Sequence, residues 1–151
     1  MSRALWRRGS DQALDMKNAI EQIKERLRKY PHVRYEADAT SISVLPTSND
    51  GFTVDLDVNQ SQYTVSFNGW HEVFEKEDEA LECFAFGLSD ECRLKEWRRG
   101  NFAYRWTVES LENGNWVEDS QTGLFIFPFW KPKKVCYLQN NLIASASEPD
   151  P

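Results

Sequence analysis

The sequence predicts an α+β protein, with two helices packed on mostly antiparallel sheet in the order helix, four strands, helix, about four strands. Apolar residues recur at alternating spacings of three and four in two separate segments, the period of a helix. After each segment the period falls to two, that of a strand, and turn pairs such as Asn113-Gly114 interrupt the runs at hairpin spacing.

Ser10 and Asp11 are helix-capping residues, and Ala13, Met16, Ile20, Ile23, Leu27 and Tyr30 follow as one stripe that Pro31 stops. The spacing is heptad-like and so admits a dimerising helix. The run is short for a coiled coil, and a helix laid on a sheet is the preferred reading. From His32 the alternation takes over: Val33, Tyr35 and Ala37; Ile42 and Val44; Phe52, Val54, Leu56 and Val58; Tyr63, Val65 and Phe67. With turns at Asn49-Asp50-Gly51 and at residues 59–62, these make a four-stranded meander.

Residues 75–88 return to helical spacing with Leu81, Phe84, Ala85 and Leu88 on one face, and Glu75, Glu77, Asp78 and Glu79 complement the positive end of the helix dipole. Strands are then expected at residues 92–97, 102–110, 116–117, 123–129 and 135–138, and residues 140–151 read as a flexible polar tail behind a single domain at 1–139. The order of elements also fits a duplicated helix-plus-four-strand unit, although the two halves share no residue-level similarity.

At 151 residues, with 40% hydrophobic and 28% charged side chains, the composition is that of one globular domain and excludes a disordered or fibrous chain. There is no apolar run long enough to span a bilayer. The net charge of −6 argues against nonspecific binding to nucleic acid or to an anionic membrane by the whole molecule. That charge is partitioned. Residues 1–35 carry nine Lys/Arg against four Asp/Glu, residues 36–91 one against thirteen, and residues 92–106 five against one. Cys83, Cys92 and Cys136 cannot all pair with one another, so a reduced, cytoplasmic protein is expected. Their wide spacing, with only His32 and His71 to assist, argues against a metal site, and no cofactor motif accompanies them.

The hairpin about Gly100 interleaves cations and rings. A four-residue loop opposes Trp97 to Phe102 and a two-residue turn opposes it to Tyr104. Either register puts Arg93, Lys95 and Trp97 on one side with Phe102, Tyr104, Trp106 and Val108, and Cys92, Leu94 and Glu96 on the other with Ala103 and Arg105. Only an odd-length loop or a bulge breaks this assignment. Residues 124–130 are apolar on both faces of a strand and need cover on both; core is the preferred reading, and the alternative is an exposed binding surface covered by a partner, a ligand or a second copy, which leaves room for a homo-oligomer. Lys131, Lys133 and Lys134 then read as gatekeepers against aggregation and would also serve as anion contacts.

Three functional readings follow. The leading one is a non-catalytic interaction module that docks a basic protein partner on Asp55, Asp57, Glu36 and Asp38, which lie two apart on their strands and so point the same way. The alternative is a small-molecule pocket, with or without catalysis, near Trp70, His71, Tyr104 and Trp106; His71 sits in a strand-to-helix connection, but neither Cys83 in a helix nor Cys92 at a strand start stands out as its nucleophile. The third is single-stranded nucleic-acid binding through Arg93, Lys95, Trp97, Tyr104 and Trp106, against which stands the reading that Arg93 and Lys95 simply lay their stems over a half-buried aromatic row.

Overall fold

The computed structural model describes residues 18–143. The capping residues Ser10 and Asp11 and the start of the stripe, Ala13 and Met16, lie outside them. Helix α1 spans Ala19–Leu27, and its cap is Asn18, whose Oδ1 accepts the Glu21 amide at 2.8 Å. Ile20, Ile23 and Leu27 are buried as the stripe requires.

Five strands follow in an antiparallel meander: β1 Tyr35–Ala37, β2 Ser41–Val44, β3 Val54–Asn59, β4 Gln62–Phe67 and β5 Trp70–Phe74. The fifth corrects the expected strand-to-helix connection around His71. Asn68 takes a left-handed φ of 52° and, with Gly69, makes a two-residue turn that pairs Phe67 with Trp70. Trp70 and Phe74 are then buried while His71 and Val73 face out, a strand's alternation that two flanking aromatics had hidden.

Helix α2, Glu77–Leu88, covers the inner face of this sheet, where Ile42, Val44, Val54, Leu56, Val65 and Phe67 are all buried. The face expected for it widens to almost the whole circumference of the helix after its acidic first turn, because α2 touches β3, β4 and β5, the strand Cys92–Arg99 of a second sheet, and α1. Gly87 lies where Phe67 leaves no room: a Cβ there would be 2.3 Å from Phe67 Cε1.

The second sheet contains β6 Cys92–Arg99, β7 Phe102–Glu112, β8 Asn115–Gly123 and β9 Lys133–Gln139 in the order β8-β7-β6-β9. This is a Greek key, three hairpin-connected strands with a fourth returning beside the first. The first sheet is a plain meander, so the two halves do not share a strand order, and the duplicated unit is not seen. Residues 123–129 do not form the expected strand. The chain leaves the sheet after Gly123 because it must cross from one edge to the other, and Pro128 and Pro132 have no amide to offer a ladder.

The core runs through both sheets. Cys92, Leu94 and Val108 join the cluster formed by α1, α2 and the meander, and the Trp70 indole donates across the junction to Ser120 Oγ at 2.9 Å. The expected tail begins too early at residue 140. Leu142 and Ile143 are core, and the buried Asn140 amide accepts from the Phe52 N–H (3.1 Å) and donates to the Phe52 (3.0 Å) and Gly87 (2.9 Å) carbonyls. No helix among the described residues is long and apolar enough to cross a membrane.

Candidate functional site

The β6–β7 hairpin turns tightly at Gly100-Asn101, with Gly100 at φ 60°, and pairs Arg99 with Phe102. A β-bulge then opposes Tyr104 to no partner, so Trp97 pairs with Arg105, Glu96 with Trp106 and Lys95 with Thr107. The expected grouping is therefore overturned beyond the bulge. Arg93, Lys95 and Trp97 share the outer face with Arg105, Thr107 and Glu109, while Trp106 joins Glu96 and Leu94 on the inner face.

On that outer face, Trp97 is ringed by cations. Lys95 Nζ lies 4.3 Å from the ring centre, Lys133 Nζ 4.7 Å and the Arg105 guanidinium 5.3 Å. The indole donates to Thr107 Oγ1 at 3.2 Å, which fixes the plane around which the cations gather. Arg93 reaches both Trp116 (4.5 Å) and Tyr137 (4.3 Å) and pairs with the buried Glu109 carboxylate at 2.6 Å, so its charge is neutralised within the sheet.

Inside, the Glu96 carboxylate is buried and held from two sides. Arg98 Nη2 approaches it at 2.5 Å and the Trp106 indole donates to it at 2.9 Å. The pairing pushes the Arg98 guanidinium pKa above its usual value, first through the hydrogen bond and then through the charge. The Trp106 ring lies flat against Gly69, where a Cβ would come within 2.4 Å. Trp106 is therefore a structural wedge between the sheets rather than a stacking platform.

Past Gly123 the crossover, residues 124–132, wraps the end of this hairpin. The Leu124 amide donates to the Tyr104 carbonyl at 2.7 Å, the Gly100 amide donates to the Pro132 carbonyl at 2.9 Å, and Phe127 stacks on Tyr104 at 4.2 Å between centroids. Between these anchors the apolar side chains point outward. Phe125 is 101% exposed, Ile126 88% and Trp130 72%, with Phe129 and Leu124 exposed as well. Phe125, Ile126, Phe129 and Trp130, with Phe102, Phe127 and Pro128, frame an open apolar recess of about 500 Å³. The expectation of a core strand is overturned here: among the described residues only Phe127 and Pro128 of this doubly apolar segment gain partial cover, Phe127 by its stack on Tyr104, and the rest is exposed.

The remaining candidates do not form one cluster, and only Glu36, Asp55 and His71 share a row. Asp55 pairs across to Ser43 on one side and Ser66 on the other, and Glu36 and His71 extend the same outward row. The Asp55 carboxylate accepts from the Ser43 hydroxyl, and partial burial pushes its pKa up against that bond, with Asp57 nearby adding to the rise. Asp57 and Glu36 are exposed. Asp38 lies beyond β1, where it accepts from the Thr40 and Ser41 amides at 2.9 and 2.8 Å, bonds that lower its pKa. It is a turn residue and does not extend the Glu36 row. Trp70 stacks on Phe67 in the core, Tyr104 on the crossover, and His71 is exposed, so Trp70, His71, Tyr104 and Trp106 do not converge on one pocket. Among the described residues no group of three or more His, Cys, Asp or Glu is placed to hold a metal ion.

The bulge and the outward crossover had no local signal strong enough to find them, whereas β5 did: Asn68-Gly69 between two alternating runs is a hairpin pair. No family, no curated protein and no solved structure matches the chain.

Proposed function

We propose that the protein is a non-catalytic binding module for an anionic ligand, which it meets with one end of the second sheet and the outer face beside it. One observation carries this reading. Arg99, Arg105, Lys131, Lys133 and Lys134 fall in two stretches, residues 97–108 and 121–140, that contain no Asp or Glu, and the pairing of β6 with β7 and β9 gathers them at one end of the molecule, where Arg98 is set apart by its pairing with Glu96. A chain of net charge −6 thus presents a local field of the opposite sign, and binding follows that field rather than the total. The test is retention of the full chain on immobilised heparin. The protein is expected to bind at low salt and elute as salt rises, and the combined Lys131→Glu, Lys133→Glu and Lys134→Glu variant is expected in the flow-through. Passage of the unaltered chain through the column at low salt overturns the proposal.

A second reading is supported by the exposed Asp57 and Glu36 on the outward face of the first sheet, in the block of thirteen acids against one base. There a basic protein partner docks on the acidic face. Capture of such a partner is then expected to be salt-sensitive and lost when Asp55 and Asp57 become Asn. Capture indifferent to salt removes this reading.

A further inference from the structure

We infer that the crossover at residues 124–132 is a membrane-insertion loop that docks this protein on an anionic lipid surface. The inference rests on the anion-binding reading above and names its partner.

Soluble monomers rarely display contiguous large apolar side chains, and a patch rimmed by polar groups marks a contact site. Here Phe125, Ile126, Phe129 and Trp130 are displayed together, and they are held rather than left to collapse. The Leu124 and Gly100 backbone bonds and the Tyr104–Phe127 stack pin the crossover at its start, middle and end. The side-chain types are those that partition into the boundary between headgroups and acyl chains, where Trp and other bulky apolar residues gather.

Charge decides among the occupants. A second copy meeting this tip across a two-fold axis brings the same patch against itself, so the lysines and arginines rimming one loop face those of the other, and the nearby Glu96 carboxylate is buried and already taken by Arg98 and Trp106. A single-stranded nucleic acid satisfies the cations but has no use for the outward Leu124 and Ile126, which do not stack on bases. An anionic bilayer satisfies both at once. The apolar tip enters the interface and the basic rim remains at headgroup depth, where each Lys or Arg adds attraction that salt screens. The acidic block of residues 36–91 forms the first sheet and α2 whereas the basic tip belongs to the second sheet, and that charge separation orients the tip toward the membrane.

The test is co-sedimentation of the full chain with phosphatidylcholine vesicles, with and without phosphatidylserine, at low and physiological salt. Binding is expected only to the phosphatidylserine-containing vesicles. Replacing Phe125 and Trp130 by Ser, which leaves every charge in place, is expected to weaken it about tenfold or more. Both side chains are mostly in water, so the thermal midpoint of the double variant is expected to stay at that of the unaltered chain. Retention on heparin with no sedimentation on either vesicle overturns the loop proposal and leaves anion binding standing; loss of both overturns the two together. Vesicle binding unchanged in the double-Ser variant, an oligonucleotide complex without a vesicle complex, or a dimer dissolved by the same substitutions each overturns insertion.

Discussion

Asn140→Ala tests whether residues 140–143 are part of the core or the start of a tail. In the folded protein the Asn140 amide satisfies three buried backbone groups: the Phe52 N–H, the Phe52 carbonyl and the Gly87 carbonyl. They belong to the segment before β3 and to the last turn of α2, so one side chain ties the meander to the helix. Each orphaned group costs about 1 kcal/mol or more, giving roughly 3 kcal/mol for the substitution. Truncation after Gln139 also removes Leu142 and Ile143 from the core, at roughly 1.5–3 kcal/mol each. Its total of about 6–9 kcal/mol falls within the whole stability of about 5–15 kcal/mol typical of a domain. Urea unfolding followed by tryptophan fluorescence measures both, with truncation after Ile143 as the control. Asn140→Asp is expected to be worse than Ala, because it keeps the acceptor but sets a carboxylate against two carbonyl oxygens. A change below about 0.5 kcal/mol for Asn140→Ala refutes the clamp and restores a tail beginning at residue 140.

Gly87→Ala is expected to destabilise the fold by about 1–2 kcal/mol in the same assay, since crowding on Phe67 outweighs the roughly 1 kcal/mol that Ala gains over Gly in a helix. Glu96→Gln removes the partner of Arg98 while leaving an acceptor for the Trp106 indole; because Arg98 still reaches water, a loss of about 1–2 kcal/mol is expected, and a neutral result refutes the role assigned to the pair. The Asp55 pKa is raised in the folded state from 3.8, so its neutral form contributes stability below that value which is lost as pH rises through the raised one. Asp55→Asn is therefore expected to raise the thermal midpoint at pH 7, with the gain vanishing below about pH 3.8, and an equal gain at both ends of the titration refutes the assignment to ionisation.

Legibility followed the range over which each feature is determined. The stripe of Ile20, Ile23 and Leu27, the alternation of Val54, Leu56 and Val58, and the turn at Gly100 are set by neighbours a few residues apart, and the structure keeps all of them. Alternation alone puts Arg93, Lys95 and Trp97 on the face they occupy and Trp106 on the wrong one, because a single unpaired residue, Tyr104, inverts every position after it. Of the eleven side chains singled out, Arg93, Lys95 and Trp97 came together as a cation–aromatic surface. Asp38 was absorbed by its own turn, and Trp70 and Trp106 by the packing between sheets.

Residue periodicity and turn chemistry were thus sufficient for the class of fold, the two helices and most strands, because each element's apolar face is written in its own spacing. Only the tertiary structure decided where residues 124–132 and 140–143 belong, and it exchanged their expected places. The most apolar segment of the chain is outside because the Greek-key return must carry it around the end of the sheet, where no layer among the described residues covers it. The polar Asn140 is inside because two distant backbone segments leave carbonyls and an amide there that only a side-chain amide can satisfy together.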